Sequence, residues 1–232
     1  MTCISCNHNH DENYCPNCGE RNGIKKITFN SIIEDAFSTI TNMDKGFLFN
    51  LKALFLNPRE ITTNFIQGKR KWILNPISYL IISITLYIIV VTVLKTPRDI
   101  DDIRRLPKDL PQKIGYEAGY FIAGHLKYYW IFTIIPFGLS IKVVFNKFNF
   151  LENVAVSSFV IGQATLIGII SYVLLKVPLL YDPVVYFAIA WMIYRIFKGK
   201  DKIESALLAS AVMVLFVFQL FLLIILIGWI KA

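Results

Sequence analysis

Four cysteines fall within the first 18 residues as two pairs, Cys3-Ile4-Ser5-Cys6 and Cys15-Pro16-Asn17-Cys18. A pair at that spacing presents two thiolates from one tight turn. Two such turns close a tetrahedron around Zn²⁺. Gly19 follows the second pair and frees the backbone to turn sharply. Asn7 stands in the same place after the first pair, and Asn also tolerates a left-handed turn. Four thiolates fill the coordination shell, so the predicted Zn²⁺ is structural and leaves no position for a catalytic water. His8 and His10 are the alternative ligands. A redox pair would be a single CxxC in a strand–helix context, which this segment does not offer. Residues 1–20 contain no Lys or Arg, so nucleic acid is disfavoured as the partner of this head.

Other residue groups carry less chemistry. Lys69, Arg70, Lys71 and Trp72 stand just before the first long apolar run, where a basic and aromatic anchor for membrane lipids belongs. Gln163 and Gln219 lie mid-way along two apolar runs, where amides hydrogen-bond across helices. No apolar run has a central charge, which weighs against an ion-coupled carrier. His125 is a lone histidine with a structural role, and the acidic residues from Asp99 to Asp102 sit beside Arg104 and Arg105 as a salt-bridged surface. No nucleophile elbow, zinc-protease helix or phosphate loop is present, and no catalytic residue is assigned.

These groups need positioning by helices. Of 232 residues, 55% are hydrophobic and 17% charged, and the mean hydropathy is +0.54. An ordinary soluble domain has about 25% charged residues. The composition points to an all-α polytopic membrane protein with about five transmembrane helices, a small N-terminal zinc ribbon and amphipathic connector helices. Three segments follow: the ribbon over 1–23, the connector over 24–75 and the bundle over 76–232. The predicted spans are about 77–94, 118–145, 154–175, 178–197 and 205–230. Only 15 uncharged or nearly uncharged residues, Pro183 to Phe197, anchor the fourth, too few to cross a ~30 Å core at 1.5 Å per residue.

In the connector, Ile32, Ile33, Ala36, Phe37, Ile40 and Met43 form one helical stripe, and Phe47, Leu48, Leu51, Leu54 and Phe55 continue it. Asn57 and Pro58 restart a helix that Gly68 ends. Residues 31–56 carry a net charge of −1, which favours packing on the bundle over electrostatic binding to anionic lipid. No apolar leader opens the chain, so no secretory signal is expected. Placing the N-terminus inside puts fifteen Lys and Arg on the inner side against nine outside. The expected location is the bacterial inner membrane, N-terminus cytoplasmic and C-terminus outside, where a reducing cytosol suits free thiolates.

The run Tyr14-Cys15-Pro16-Asn17-Cys18-Gly19-Glu20, then Gly46-Phe47 with Leu51 and Leu54, then Pro58, Ile66, Gly68-Lys69-Arg70-Lys71 and Pro76 resembles the bacterial domain-of-unknown-function 3667 family. The resemblance covers mainly residues 1–80 and implies a small membrane protein with a zinc ribbon; it implies no activity. Five spans behind a cytosolic N-terminus are also topologically similar to the Yip1 family. The leading expectation is a non-enzymatic scaffold or adaptor whose ribbon docks a cytosolic or membrane protein. A transporter or channel lined by Gln163 and Gln219 is the first alternative. A lipid-modifying enzyme gathering Asp182, His125 or the basic cluster is the second. An oligomer is compatible with each.

Overall fold

A computed structural model describes residues 2–3, 6–19, 46–94 and 130–231. The expected helix over 31–43, the loop 95–127, His125 and the first part of the second span, 118–129, lie outside the described residues. Those described form seven α-helices: α1 Gly46–Leu56, α2 Pro58–Ile66, α3 Pro76–Val93, α4 Ile134–Phe145, α5 Phe150–Leu175, α6 Pro183–Phe197 and α7 Lys202–Lys231. Short 3₁₀ turns at Trp130–Thr133 and Leu179–Tyr181 lead towards α4 and α6.

Residues 155–165 of α5 are all buried. A helix buried on every side needs apolar or small residues around its whole circumference, and Ala155-Val-Ser-Ser-Phe-Val-Ile-Gly-Gln-Ala-Thr165 supplies them. Helix α3 runs parallel to α5: Tyr79 meets Phe159 and Gln163, and Tyr87 meets Tyr172. Helices α4 and α6 run antiparallel to it. Trp130 donates to Thr165 at 3.0 Å, whereas Gly138 sits against Val154 and Ser157. The start of α6 touches Gly168 through Val185, and its end stacks Phe197 on Phe145 at 4.1 Å. Helix α7 packs on α4 and α6, with Phe137 and Phe216 in contact at 4.8 Å.

Local chemistry sets the helix starts. Asn75 accepts from the Ile77 N–H at 2.9 Å, and Asp182 from the Val184 N–H at 2.9 Å. Pro76 and Pro183 then occupy first-turn positions whose missing N–H costs nothing. Asn149 and Glu152 form a reciprocal capping box that starts α5. Asn57 was expected to cap α2 and makes no side-chain cap bond; Pro58 alone marks that start.

Three helices, α3, α5 and α7, are long and apolar enough to cross a membrane. The five-span expectation is therefore met in part. The 15 residues of α6 cover about 22 Å, and the chain before it folds back instead of extending it, with Leu179 resting on Gly168. The described part of the second span begins at Trp130, level with Thr165 in the middle of α5. Among the described residues no β-strand forms; in the head an antiparallel bridge joins Thr2 to Asn9.

Helix α1 buries a polar residue beside Leu54 and leaves several apolar ones outside. Asn50 is fully buried while Leu48, Phe49, Phe55 and Leu56 are exposed. That arrangement suits apolar surroundings.

Close approach of α3 to α5 depends on Gly162. A Cβ there would lie 2.9 Å from the Tyr79 ring and 3.3 Å from the Leu80 Cα. Gly162→Val is expected to lower stability by about 1–3 kcal/mol through overpacking, read as the thermal unfolding midpoint in detergent. Gly199→Ala, whose nearest neighbour is 3.5 Å away, is the control expected to change little.

Candidate metal centre

Each cysteine pair folds by the same device. After Cys6, Asn7 takes φ 57° and donates its N–H to Cys3 O at 2.9 Å. After Cys18, Gly19 takes φ 74° and donates to Cys15 O at 2.7 Å. These left-handed positions close the two turns, and the turns bring the four thiols together. Cys3 Sγ lies 3.4 Å from Cys18 Sγ, Cys6 Sγ lies 3.5 Å from Cys15 Sγ, and all four lie within 4.8 Å of one another. A tetrahedron with sulfurs ~2.3 Å from a central ion has edges of about 3.8 Å. The four thiols therefore fit a metal ion. Cys3 and Cys15 are buried, one from each turn.

The backbone of His8 favours deprotonation at this site. Its hydrogen bond to the Cys6 thiol, aided by the other three thiols and opposed by desolvation, pushes Cys6 down to about 6. The thiolate is thus already favoured in the folded head above about pH 6, and that advantage disappears as the pH falls through 6.

The basic anchor forms one structural unit with the hairpin of α1 and α2. Gly68, at φ 88°, ends α2 with paired bonds from Gly68 N–H to Phe65 O and from Lys69 N–H to Asn64 O. Lys69 and Arg70 are half-buried, with the Arg70 guanidinium 4.9 Å from the Phe65 ring centre. Lys71 and Trp72 are exposed. Trp72 itself takes φ 65°, uncommon for a bulky residue. Its carbonyl accepts from the buried Asn50 side chain at 3.1 Å. A helix, a glycine-terminated second helix, a basic turn and an Asn-Pro start follow one another from Gly46 to Pro76.

Residues 44–88 match a family model described as protein of unknown function (DUF3667). The match bears out the resemblance read from Gly46-Phe47 through Pro76 and spans α1, α2 and most of α3. The cysteine head lies outside it. No curated protein and no solved structure matches the chain. The topological likeness to the Yip1 family is not among these findings.

Gln163 does bond across helices. It accepts the Tyr79 hydroxyl from α3 and donates Nε2 to Leu51 O of α1 at 3.3 Å. Gln219 is half-buried on α7, which packs on α4 and α6. Among the described residues no hydrogen bond joins the two amides, which engage different elements. Asp182 is fully buried at the start of α6. One of its carboxylate oxygens caps the helix, and the other is buried with no hydrogen-bond partner among the described residues. It sits at the opposite end of α6 from the corner where the hairpin of α1 and α2 is held, so it does not gather with Lys69–Lys71. The sequence reading missed Asn50, Arg59 and Arg195. Asn50 stands as a polar residue in an apolar stripe, which was its one available signal.

Two measurements test these contacts. Metal content of the purified chain is expected at about one ion per four-thiol site, lost in Cys15→Ser/Cys18→Ser and falling as the pH is lowered, because bound thiols must be deprotonated. In the bundle, Gln163→Leu strands a hydroxyl and a carbonyl and is expected to cost about 1–3 kcal/mol. Tyr79→Phe in the same chain recovers part of that loss; additive effects in a thermal-unfolding cycle would contradict the bond.

Proposed function

We propose that the chain is a non-enzymatic scaffold of the bacterial inner membrane, whose cytosolic head is folded by structural Zn²⁺ and docks a protein partner. The four-thiol cluster carries this reading. Four sulfur donors at tetrahedral spacing are the set that soft-ligand sites offer to Zn²⁺, and they leave no open position for substrate. Folding is the chemistry such an ion supplies here: a segment of about twenty residues has too little apolar surface to fold without a staple. Cys3, Cys6, Cys15 and Cys18 would hold it. The expected orientation places the head on the side richer in Lys and Arg, as the positive-inside rule requires.

The apolar helices α3, α5 and α7 support membrane placement. The central polar groups support a packing role over a transport role. Ser157, Ser158 and Thr165 each return their hydroxyl to a carbonyl of their own helix, and Gln163 is engaged by α1 and α3.

Quantitative proteomics of proteins co-purifying with the mildly solubilised chain tests the docking role, wild type beside Cys15→Ser/Cys18→Ser at matched membrane insertion. Partners present with the wild type and lost with the variant are expected. An unchanged or empty set of partners would reduce the head to a structural cap and overturn the adaptor reading.

A further inference from the structure

Three cationic side chains converge where the end of α1, the start of α2 and the end of α6 meet. Arg59 of α2 donates Nη1 to Lys198 O, just past α6, at 2.8 Å. Arg195 of α6 donates Nη2 to Leu56 O, at the end of α1, at 2.7 Å. Each guanidinium thus sits on a helix C-terminus, the end that favours a cation. Each exchanges places with the other across the junction. A guanidinium carries five N–H donors, so most remain unclaimed. The Lys198 ammonium lies 5.9 Å from the Tyr194 ring centre. Among the described residues no ion pair neutralises Arg59, Arg195 or Lys198.

These three line a cavity of about 530 Å³ together with Thr63, Asn64 and Glu60. One carboxylate against three cations leaves two positive charges in excess. Fixed guanidinium forks match phosphate oxygens in pairs. The cavity also borders apolar surface. Phe55 and Leu56, at the end of α1, are more than half exposed, and Phe55 rests on Trp191 at 5.9 Å. Arg195 lies 5.4 Å from the centre of that same Trp191 ring. A phosphate group and a hydrocarbon chain on one molecule would meet both surfaces at once.

We propose that this cavity binds the phosphate of an anionic membrane phospholipid, with Arg59, Arg195 and Lys198 on the phosphate oxygens and Phe55 and Leu56 against its acyl region. The proposal differs from the basic turn Lys69–Lys71, which lies at the other end of α2. It rests on membrane placement of the bundle and is independent of the head's partner.

Native mass spectrometry of the full chain, released from lipid discs of phosphatidylglycerol or of phosphatidylcholine, reads lipid retention. Preferential retention of phosphatidylglycerol is expected, reduced about fivefold for each cation removed in Lys198→Gln and Arg59→Gln. Lys176→Gln, at the C-terminal end of α5 and away from this corner, is expected to retain lipid like the wild type. Arg59→Gln gives up a helix-end bond; Lys198→Gln gives up no hydrogen bond and keeps the test valid should the former unfold. Equal retention of the two lipids, or unchanged retention in Lys198→Gln, would overturn the proposal. Displacement of the lipid by millimolar inorganic phosphate would replace it with a free-anion site. Retention is expected to be unaffected by Cys15→Ser/Cys18→Ser, which separates this result from failure of the docking role.

Discussion

One amide, that of Gln163, ties together three elements. In apolar surroundings a polar side chain must find partners within the protein. Gln163 finds the Tyr79 hydroxyl on α3 and a backbone carbonyl on α1. This one side chain therefore helps to fix both the register of α3 against α5 and the docking of α1 on them. Apolar packing alone would tolerate sliding by a turn; an unsatisfied amide would not. Gly162 beside it lets the Tyr79 ring approach, so adjacent residues on α5 provide both the space and the bond.

The hairpin of α1 and α2 is consequently part of the bundle, although it precedes the first long span. Phe65 meets Phe159 edge-on at 5.6 Å, and Phe47 meets Tyr79 at 5.4 Å. The reciprocal bonds of Arg59 and Arg195 hold its far corner to the end of α6. Leu48, Phe49, Phe55 and Leu56 of α1 face outward, while Asn50 faces inward beside Leu54. The hairpin, which lies within the segment the family model matches, therefore packs along the side of α5 and presents apolar residues to whatever surrounds it.

Much of this was legible in the sequence wherever the cause is local. Cysteine spacing, the left-handed turns at Asn7 and Gly19, the starts at Asn75-Pro76 and Asp182-Pro183, and the stop at Gly68 each depend on a few consecutive residues. The short fourth span was visible as a length. The partners of Gln163 were not visible, because Leu51 offers only a carbonyl that every residue possesses and lies 112 positions away. Arg59 and Arg195 likewise bond to backbone atoms across 139 positions. Their side chains read as ordinary surface or topology charges. The capping box at Asn149 and Glu152 was local and readable, yet the apolar run beginning at Val154 drew the predicted start inward.

The parallel pairing of α3 and α5 is staggered. Tyr79 is the fourth residue of α3, whereas Gln163 is the fourteenth of α5. At 1.5 Å per residue, α5 extends about 15 Å beyond α3 at that end. Without the hairpin, that step of about ten residues on α5 would lie uncovered by α3. Helices α1 and α2 fill that step. The hairpin thereby covers the length of α5 that α3 leaves bare, so the two long helices share one side wall without sharing a start.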